Sequence, residues 1–317
     1  MKKVLITGTA GFIGFHLAKL LLEENFVVHG YDGITDYYDV SLKQKRHEML
    51  FQSSNFSATE GMLENQKLFD LTVDKFMPDV IVHLAAQAGV RYSLENPRAY
   101  LDSNVTGTFN VMEAARRHGV EHLLMASTSS VYGANIDMPF IETEKADTQL
   151  TIYAATKKAN ESMGHAYAHL YDLPTTMFRF FTVYGEWGRP DMLLFKIIKN
   201  SIKKTTLKLN NNGNHYRDFT YINDVVEILY RLSLKKINKK FDIFNICSNN
   251  PQFIKKVIKY FINSISHLKI KNISKNNLDV FKTHGDNKKI ISLTNFKNFT
   301  IFNKGFKNTC KWYKNNL

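Results

Sequence analysis

The sequence contains little cysteine and no long apolar run. Its two cysteines, Cys247 and Cys310, lie far apart and lack the spacing of metal ligands, so neither a disulfide scaffold nor a metal site is predicted. The apolar run after Met1 is too short for a signal peptide, and no later stretch is long and apolar enough to cross a bilayer. These absences favour a reduced, cytoplasmic enzyme without a membrane span.

Charge is distributed unevenly along the chain. The net charge is +13, yet residues 1–190 hold 17 Lys+Arg against 22 Asp+Glu, which leaves 25 basic and 7 acidic residues for 191–317. The basic excess is mostly lysine mixed with Asn, Ile and Phe, without a regular basic-aromatic motif, so no nucleic-acid partner is expected. Compositional drift explains the excess best, and attraction of an anionic substrate is the second explanation.

Short apolar runs alternate with helical patterns in the first half, which predicts βαβ units and a parallel sheet. Strands are expected at residues 3–7, 26–31, 80–85, 122–126, 174–181 and 241–247. Helices are expected at residues 12–24, 105–118, 154–171 and 225–234. Beyond residue 251 the sequence is rich in Lys and Asn, and no element is predicted there. The fold class is therefore α/β.

Three glycines, Gly8, Gly11 and Gly14, follow the first predicted strand and open the first helix. Gly8 permits a tight turn, and Gly11 lets the backbone approach a pyrophosphate at the positive end of the helix. Gly14 allows the helix to pack closely on the strand. This strand–turn–helix context predicts a dinucleotide site, although glycine spacing alone is a weak signal.

Asp32 ends the second predicted strand. A carboxylate at this place accepts hydrogen bonds from both ribose hydroxyls and repels a 2′-phosphate, so NAD is favoured over NADP. Lys43 and Arg46 lie beyond it, and we interpret them as part of a solvated helix face.

Tyr153 and Lys157 are four residues apart and share one face of a predicted helix. A phenol normally ionises near pH 10, but an ammonium beside it and a cationic nicotinamide would lower its pKa enough for it to act as a base. Thr128, at the end of a neighbouring strand, is placed to share the proton of a substrate hydroxyl. The alternatives are a half-exposed surface pair for Tyr153 and Lys157 and a strand-end cap for Thr128.

These motifs resemble those of extended short-chain dehydrogenases/reductases, and most closely those of the NAD-dependent epimerases that interconvert UDP-glucuronate and UDP-galacturonate. The matching segments are residues 7–16, 83–93, 100–110, 127–135, 153–161, 179–185 and 217–222. The resemblance implies a Rossmann-like, doubly wound parallel sheet with a smaller C-terminal α/β substrate domain. It implies an NAD-binding domain at 1–182, to which the chain returns around 217–250, and a mainly substrate-binding part at 183–317 that is shortened and divergent after 251.

The resemblance also implies residue roles. Tyr153 would be the base, Lys157 its cofactor-binding partner, and Thr128 the hydroxyl that assists at O4 of the sugar. Arg189 would face the C6 carboxylate, and Arg217 would bind the UDP diphosphate. The implied cofactor-binding residues are Gly8, Gly11, Phe12, Ile13, Gly14, Asp32, Leu84, Ala85, Ala86, Asn104, Tyr153 and Lys157. The implied substrate-binding residues are Arg91, Thr128, Ser129, Ser130, Thr182, Arg189 and Arg217, and no metal is expected.

The implied reaction is C4 epimerisation of a UDP-sugar through a 4-keto intermediate, with NAD regenerated in each cycle. Ser129 and Ser130 stand where 4,6-dehydratases and uronate decarboxylases carry an acidic residue, so epimerisation is preferred. Two alternatives stay open, namely a UDP-glucose/UDP-galactose 4-epimerase and a catalytically silent NAD-binding paralogue. A homodimer formed by the helices at 105–118 and 154–171 is also implied, although core packing explains their apolar residues equally well.

Two segments depart from the family pattern. Gly61 is followed by Met62, where the family usually has an aspartate that contacts the adenine. Residues 277–280 and 283–286 replace the family's Pro-Gly-Asp loop, which reaches the UDP end of the substrate. The first departure predicts weaker cofactor binding, and the second predicts an altered uridine pocket.

Overall fold

The computed structural model describes residues 1–235, 239–264, 268–274 and 280–316. The strands are β1 Lys3–Thr7, β2 Val27–Asp32, β3 Phe56–Glu60, β4 Val80–His83, β5 His122–Thr128, β6 Thr175–Phe180, β7 Thr182–Tyr184, β8 Thr206–Asn210, β9 Tyr216–Tyr221, β10 Phe241–Ile246, β11 Pro251–Phe253 and β12 Lys269–Ile273. The helices are α1 Phe12–Glu23, α2 Val40–Leu50, α3 Gln66–Phe76, α4 Tyr92–Glu95, α5 Pro97–Tyr100, α6 Gly107–His118, α7 Ile152–Tyr171, α8 Leu193–Ile202, α9 Ile222–Leu234, α10 Ile254–Ser264, α11 Lys288–Thr294 and α12 Phe302–Asn316. A π-helical segment, Leu101–Thr106, leads into α6.

Seven strands within the described residues form one sheet in the order β10-β6-β5-β4-β1-β2-β3. Every neighbouring pair in this sheet is parallel. The winding reverses between β1 and β4, and ligands of open α/β sheets bind outside the carboxyl ends of the strands at such a point. The predicted Rossmann-like parallel sheet is confirmed.

The sheet is buried on both faces because side chains alternate along each strand. In β1, Leu5 packs on the same side as Val111 and Met112 of α6. Its neighbours Val4 and Ile6 pack on the opposite side, in the cluster that holds the apolar residues of α1 and α9. Val111 and Met112 are therefore core residues, and they are not available to the helical dimer interface that the resemblance implies.

The chain adds smaller sheets beyond β6. Within the described residues, β7 pairs in parallel with β9, β9 pairs antiparallel with β11, and β12 pairs in parallel with β8. Between these pieces the chain returns to the large sheet, where β10 lies beside β6 along all six residues. The buried residues of α8, α9, α10 and α12 belong to the same apolar cluster as β1 and α1, so the two regions share a core.

Most predicted elements agree with the structure to within a few residues. The strand β3 was not predicted, because its sequence is short, polar after Phe56 and mostly outside the core. Residues 277–279, part of the segment compared with the family's Pro-Gly-Asp loop, lie outside the described residues. Among the helices of the described chain, none is both long and apolar enough to span a membrane.

Candidate active site

A cleft of about 960 Å³ lies at the carboxyl ends of the central strands. It is bounded on one side by the glycine turn after β1 and on the other by the segment that follows β7. The predicted site residues that line the cleft are Gly8, Gly11, Phe12, Ile13, Gly14, Asp32, Leu84, Ala85, Ala86, Arg91, Thr128, Ser129, Ser130, Tyr153, Lys157, Thr182, Arg189 and Arg217. The fold thus brings together residues that are spread over more than two hundred positions of the sequence.

The glycine turn leaves no space for side chains. Gly8 has a φ of +85°, and the N–H of Gly11 donates to its carbonyl oxygen at 3.0 Å. A Cβ on Gly14 would lie 2.1 Å from that same oxygen. No side chain caps the first turn of α1, so its N–H groups face the cleft at the positive end of the helix.

Asp32 extends from the end of β2 to the mouth of this turn. Its carboxylate accepts hydrogen bonds from the N–H of Ala10 at 2.8 Å and from the N–H of Ile34 at 2.9 Å. These bonds fix both oxygens in place, and the side chain lines the cleft. The position suits the recognition of a ribose next to the pyrophosphate site.

Lys43 and Arg46 are buried, so the interpretation of a solvated helix face is wrong. Lys43 is 5% exposed and lines the cleft, where its charge lies close enough to Asp32 to interact with it. Arg46 is fully buried and donates to the carbonyl oxygen of Ala10 at 2.6 Å and to that of Trp187 at 2.5 Å. A third acceptor is the hydroxyl of Tyr38 at 2.8 Å. The helical pattern of α2 gave no sign of this burial, because Ala10 and Trp187 come from distant parts of the chain.

The loop after β4 is held by a buried network behind the cleft. Thr7 accepts hydrogen bonds from the N–H groups of Leu84 at 3.2 Å and Ala85 at 3.1 Å, and its hydroxyl lies 2.8 Å from Nδ1 of His83. Burial, reinforced by the charge of Lys157, lowers the pKa of His83 to about 3. The ring is therefore neutral at pH 7, and its two nitrogens are hydrogen-bonded to the hydroxyls of Thr7 and Thr108.

Asn104 does not reach the cleft, unlike the other predicted cofactor-binding residues. It is fully buried in the π-helical segment, where its amide accepts from the N–H of Gln87 at 2.8 Å and donates to the Gln87 carbonyl at 3.1 Å. It also donates to Thr156 of α7 at 3.2 Å. Asn104 therefore holds the wall of the cleft, and direct contact with the cofactor is not supported.

Thr128 ends β5, and its side chain performs two tasks. Its hydroxyl oxygen accepts from the N–H of Ser130 at 3.2 Å, which caps the turn as the simpler interpretation expected. It also interacts with the phenol of Tyr153. The strand-end cap and the proposed proton-sharing role are thus compatible.

Tyr153 and Lys157 lie one turn apart on α7 and both line the cleft. Burial raises the pKa of Tyr153, while the hydrogen bond with Thr128 and the charge of Arg189 oppose that rise. Burial lowers the pKa of Lys157 from 10.5 to about 8, and its ammonium donates to the carbonyl oxygen of Ala126 at 2.9 Å. The charge of Arg189 therefore favours the Tyr153 phenolate, and the expected effect of Lys157 on this pKa stays a prediction.

A buried ion pair supports this part of the site from behind. Glu161 and Arg179 are each 2% exposed and form two hydrogen bonds, at 2.9 and 2.8 Å. The hydroxyl of Ser127 donates to Glu161 at 2.6 Å. The pair therefore ties α7, which carries Tyr153, to β5 and β6.

The segment after β7 carries Arg189 into the cleft. Its Nε and Nη2 donate to the two carboxylate oxygens of Asp191 at 3.0 and 2.6 Å. The guanidinium of Arg189 lies over the ring of Tyr37, 5.9 Å from its centroid, and the phenol is close enough to both members of the pair to interact with them. Thr182, the first residue of β7, lines the same cleft.

Arg91 and Arg217 lie in the cleft beside the C-terminal part of the chain. Arg217 donates through Nη1 to the carbonyl oxygens of Tyr216 at 2.7 Å and Val280 at 2.9 Å. A nitrogen of Arg91 lies 3.1 Å from the side-chain amide of Asn210. Both guanidinium groups are thus held by the smaller sheets and the loop after residue 279.

Several residues that line the cleft escaped the sequence prediction, namely Tyr37, Lys43, Glu64, Asp191 and Lys196. Asp191 alone had a local signal, because an acidic residue two positions after an arginine is a natural partner for it. The others reach the cleft through tertiary packing, which their local sequence does not reveal.

The cofactor end of the cleft fits a dinucleotide. Oε2 of Glu64 is buried and has no hydrogen-bond partner among the described residues. It lies near the expected aspartate position taken by Met62, whose sulfur lies 2.5 Å from where a Cβ on Gly33 would be. An orphaned acceptor here suits the amine of an adenine, and the glycine turn suits a pyrophosphate.

The family of the chain follows from its match to a family model. The model for the "NAD dependent epimerase/dehydratase family" matches residues 4–247. The chain belongs to this family. The predicted relationship is thereby confirmed.

Curated members of the epimerase/dehydratase family resemble the chain over most of its length. A probable UDP-glucuronate 4-epimerase of Rhizobium meliloti (strain 1021) is 55% identical over 231 residues, which cover 73% of this chain and 68% of the relative. A UDP-glucuronate 4-epimerase of Thermodesulfobacterium geofontis (strain OPF15) is 39% identical and covers 99% of this chain and 96% of the relative.

A solved structure of this family has the same architecture. The crystal structure of UDP-glucuronic acid 4-epimerase from Bacillus cereus, in complex with UDP-glucuronic acid and NAD, superposes with a TM-score of 0.92. The two sequences are 28% identical, and the match covers 99% of each chain.

Proposed function

We propose that this protein is an NAD-dependent UDP-sugar 4-epimerase that converts UDP-glucuronate to UDP-galacturonate. The observation that carries the proposal is the phenol of Tyr153, which lies close enough to Thr128 to interact with it in the same cleft as Arg189. A base with a hydroxyl partner suits proton removal from a secondary alcohol, and a guanidinium suits recognition of a carboxylate. The similarity to UDP-glucuronate 4-epimerases supports the same reaction.

Two side chains, Tyr153 and Thr128, act on the proton of the C4 hydroxyl. Bound NAD would supply the acceptor for the C4 hydride and the hydride returned to the opposite face, and its positive charge would favour the phenolate. Tyr153 accepts the proton of the C4 hydroxyl and returns a proton to O4 when the keto group is reduced. Thr128 keeps O4 aligned with the phenol by hydrogen bonding to both. Lys157, anchored on Ala126, is placed to bind the cofactor beside them.

The choice of a uronate rests on the groups at the sugar end. Arg189 offers the planar, charge-assisted hydrogen bonds that a C6 carboxylate accepts. Ser129 and Ser130 line the cleft and supply hydroxyls, without the carboxylate that elimination of a C6 hydroxyl needs. Arg217 and Arg91, nearer the C-terminal sheets, are assigned to the diphosphate side of the substrate.

The proposal includes the division of the chain and its assembly. Residues 1–182 with the return around 217–250 would bind NAD, and the rest of 183–317 would bind the UDP-sugar. A homodimer would use the exposed face of α6 and α7, where Phe109 and Leu170 are 42% and 67% exposed. The cytoplasmic location stays a prediction.

Conversion of UDP-glucuronate, followed by NMR or chromatography with UDP-glucose as the comparator, tests the function. We expect UDP-galacturonate to form and the Tyr153→Phe variant to lose about 10²–10⁴-fold in kcat, because it lacks the general base. Tyr171→Phe, at the far end of the same helix, is the matched control and should keep full activity.

Three outcomes would contradict parts of the proposal. Conversion of UDP-glucose alone would replace the uronate assignment by a UDP-glucose/UDP-galactose epimerase. NAD binding without binding of any UDP-sugar would favour the silent paralogue. Full activity of Tyr153→Phe would remove the phenol from the mechanism.

A further inference from the structure

Arg189 does not enter the cleft as an isolated cation. It forms two parallel hydrogen bonds with Asp191, from Nε to Oδ1 at 3.0 Å and from Nη2 to Oδ2 at 2.6 Å. Its side chain is 21% exposed and that of Asp191 is 32% exposed, so both partners face the cleft. One edge of the planar guanidinium is therefore already hydrogen-bonded to Asp191.

The partner of this pair is difficult to displace. Asp191 is only two residues from Arg189, with Pro190 between them, so the carboxylate is tethered at a high effective concentration. The guanidinium of Arg189 also lies over the ring of Tyr37, 5.9 Å from its centroid, and the phenol is close enough to both side chains to interact with them. A substrate carboxylate that tried to replace Asp191 would have to break these contacts as well.

The backbone before Arg189 is also fixed. The carbonyl oxygen of Trp187 accepts from Arg46 at 2.5 Å, and the carbonyl of Glu186 lies 2.9 Å from Nε2 of His16. The Glu186 carboxylate accepts from the phenol of Tyr221 at 2.7 Å. With the backbone anchored, the remaining freedom of Arg189 is rotation of its own side chain, and Asp191 restrains that rotation.

The two bonds to Asp191 use the Nε–Nη2 edge and leave the Nη1 end of the guanidinium outside this contact. A guanidinium has a second edge, formed by Nη1 and Nη2, that also matches a carboxylate. An arginine locked by one edge presents the other without losing side-chain entropy when the ligand binds.

We propose that Asp191 is a positioning residue that locks the Nε edge of Arg189, so that the Nη1 end meets the carboxylate of a UDP-uronate. This inference rests on the proposed function, because it concerns the sugar that the cleft receives. Asp191 itself would not touch the substrate. It would set the preference for uronates over neutral hexoses by holding the arginine in its binding orientation.

Binding is measured apart from turnover, in the Tyr153→Phe background with NAD present, by calorimetry with UDP-glucuronate, UDP-glucose and UDP. We expect Asp191→Ala to weaken the binding of UDP-glucuronate about tenfold and the binding of UDP-glucose or UDP less than twofold. The reason is that only the uronate carboxylate contacts the Nη1 end of Arg189 that Asp191 holds in place. Asp191→Asn, which keeps an acceptor for Arg189, should lose less than Asp191→Ala. In an Arg189→Ala background, Asp191→Ala should have no further effect.

Several results would overturn the inference. Equal losses for UDP and UDP-glucuronate would make Asp191 a general structural residue. If the losses of affinity from the two substitutions were additive in the double variant, Asp191 would act independently of Arg189. Tighter binding of UDP-glucuronate to Asp191→Ala would mean that the carboxylate competes with the substrate. If the otherwise unsubstituted enzyme converts UDP-glucuronate while Asp191→Ala binds it normally, this inference fails and the proposed function stands.

Discussion

At the scale of single residues, the site contains an ammonium that the protein interior disfavours. Lys157 is 2% exposed, and burial lowers its pKa from 10.5 to about 8. The folded state therefore binds fewer protons than the unfolded state between pH 8 and pH 10.5. The free energy of unfolding should therefore increase as the pH rises through this window. Lys157 is already mostly deprotonated in the folded state there, whereas in the unfolded state it is still losing its proton.

The Lys157→Met variant should lack this dependence. Between about pH 7 and about pH 10, we expect the free energy of unfolding of the unsubstituted protein to increase by about 2 kcal/mol more than that of the variant. Urea denaturation at both pH values measures the difference, in which the titration of all other groups cancels. Lys19→Met, which removes a lysine whose side chain is 52% exposed, is the control and should show no such gain. A constant difference for Lys157→Met would contradict the prediction.

The residue types in the sequence predicted the chemistry of the site better than they predicted which charged groups would be buried or paired. Tyr153, Lys157 and Thr128 were predicted from their combination, because the Tyr–Lys spacing is common on its own and becomes more specific with Thr128 at the end of a neighbouring strand. The fold places all three in the cleft. The pairing of Arg189 with Asp191 and the burial of Arg46 were not found. The burial of Arg46 depends on loops from different parts of the chain meeting, and a local pattern carries no information on such contacts. The Arg189–Asp191 pair spans only two residues, so it had a local signal and still went unpredicted.

At the scale of elements, the ion pair between Glu161 of α7 and Arg179 of β6 fixes the helix that carries Tyr153. Both side chains are 2% exposed, so neither charge has solvent to stabilise it if the other is removed. The exposed pair between Glu113 and Arg116 of α6 offers a comparison, since their side chains are 21% and 34% exposed.

Glu161→Gln should destabilise the protein by about 3–5 kcal/mol, because it leaves the Arg179 guanidinium buried without a counter-charge. Glu113→Gln should cost less than about 1 kcal/mol, because water screens that pair. Urea denaturation of both variants measures the two values. Similar small losses would show that the buried pair contributes no more than the surface pair.

The turn between β1 and α1 makes a second prediction at this scale. Gly14→Ala places a Cβ 2.1 Å from the carbonyl oxygen of Gly8, so the helix must move off the strand. We expect NAD binding to fall by at least about tenfold. Gly119→Ala, where no atom lies within 4 Å, should keep NAD affinity and lose about 1 kcal/mol of stability from its positive φ. Calorimetric titration with NAD separates the two variants.

Six of the seven strands of the large sheet, and the helices α1, α6, α7 and α9, were predicted because βαβ units have strong periodicity. The strands of the smaller sheets and the other helices of the described residues were not predicted. The pattern failed where burial was incomplete or irregular. The segment Leu101–Thr106 is a π-helical turn ahead of α6, and periodicity merges such a turn with the helix. In helix α2, Lys43 and Arg46 are buried, although their residue types predict a polar, solvent-exposed face.

At the scale of the whole molecule, the charge of the chain is concentrated in residues 191–317, while the preceding residues are weakly acidic. A basic half beside the cleft raises the local concentration of an anionic UDP-sugar. Such attraction between separated charges is screened by salt. Compositional drift, the other explanation of the excess, predicts no such effect on the enzyme.

We expect kcat/KM for UDP-glucuronate to fall about tenfold between about 20 mM and about 300 mM NaCl, with a smaller change in kcat. Replacing exposed Lys255, Lys256 and Lys259 of α10 by Glu should reduce this dependence, and none of them lines the cleft. The matched control replaces exposed Lys19, Lys67 and Lys75 from the acidic half and should have less effect. Salt independence of kcat/KM would leave drift as the explanation.

The late return of β10 to the large sheet has a consequence for synthesis. Until residue 246 has left the ribosome, β6 is the outermost strand, and all six of its residues are buried in the finished protein. A nascent chain that pauses before that point exposes an apolar strand with unpaired backbone groups, which is a template for aggregation. A fragment that ends at residue 182 should therefore precipitate or bind chaperones, even though it contains the whole glycine turn and the reactive tyrosine.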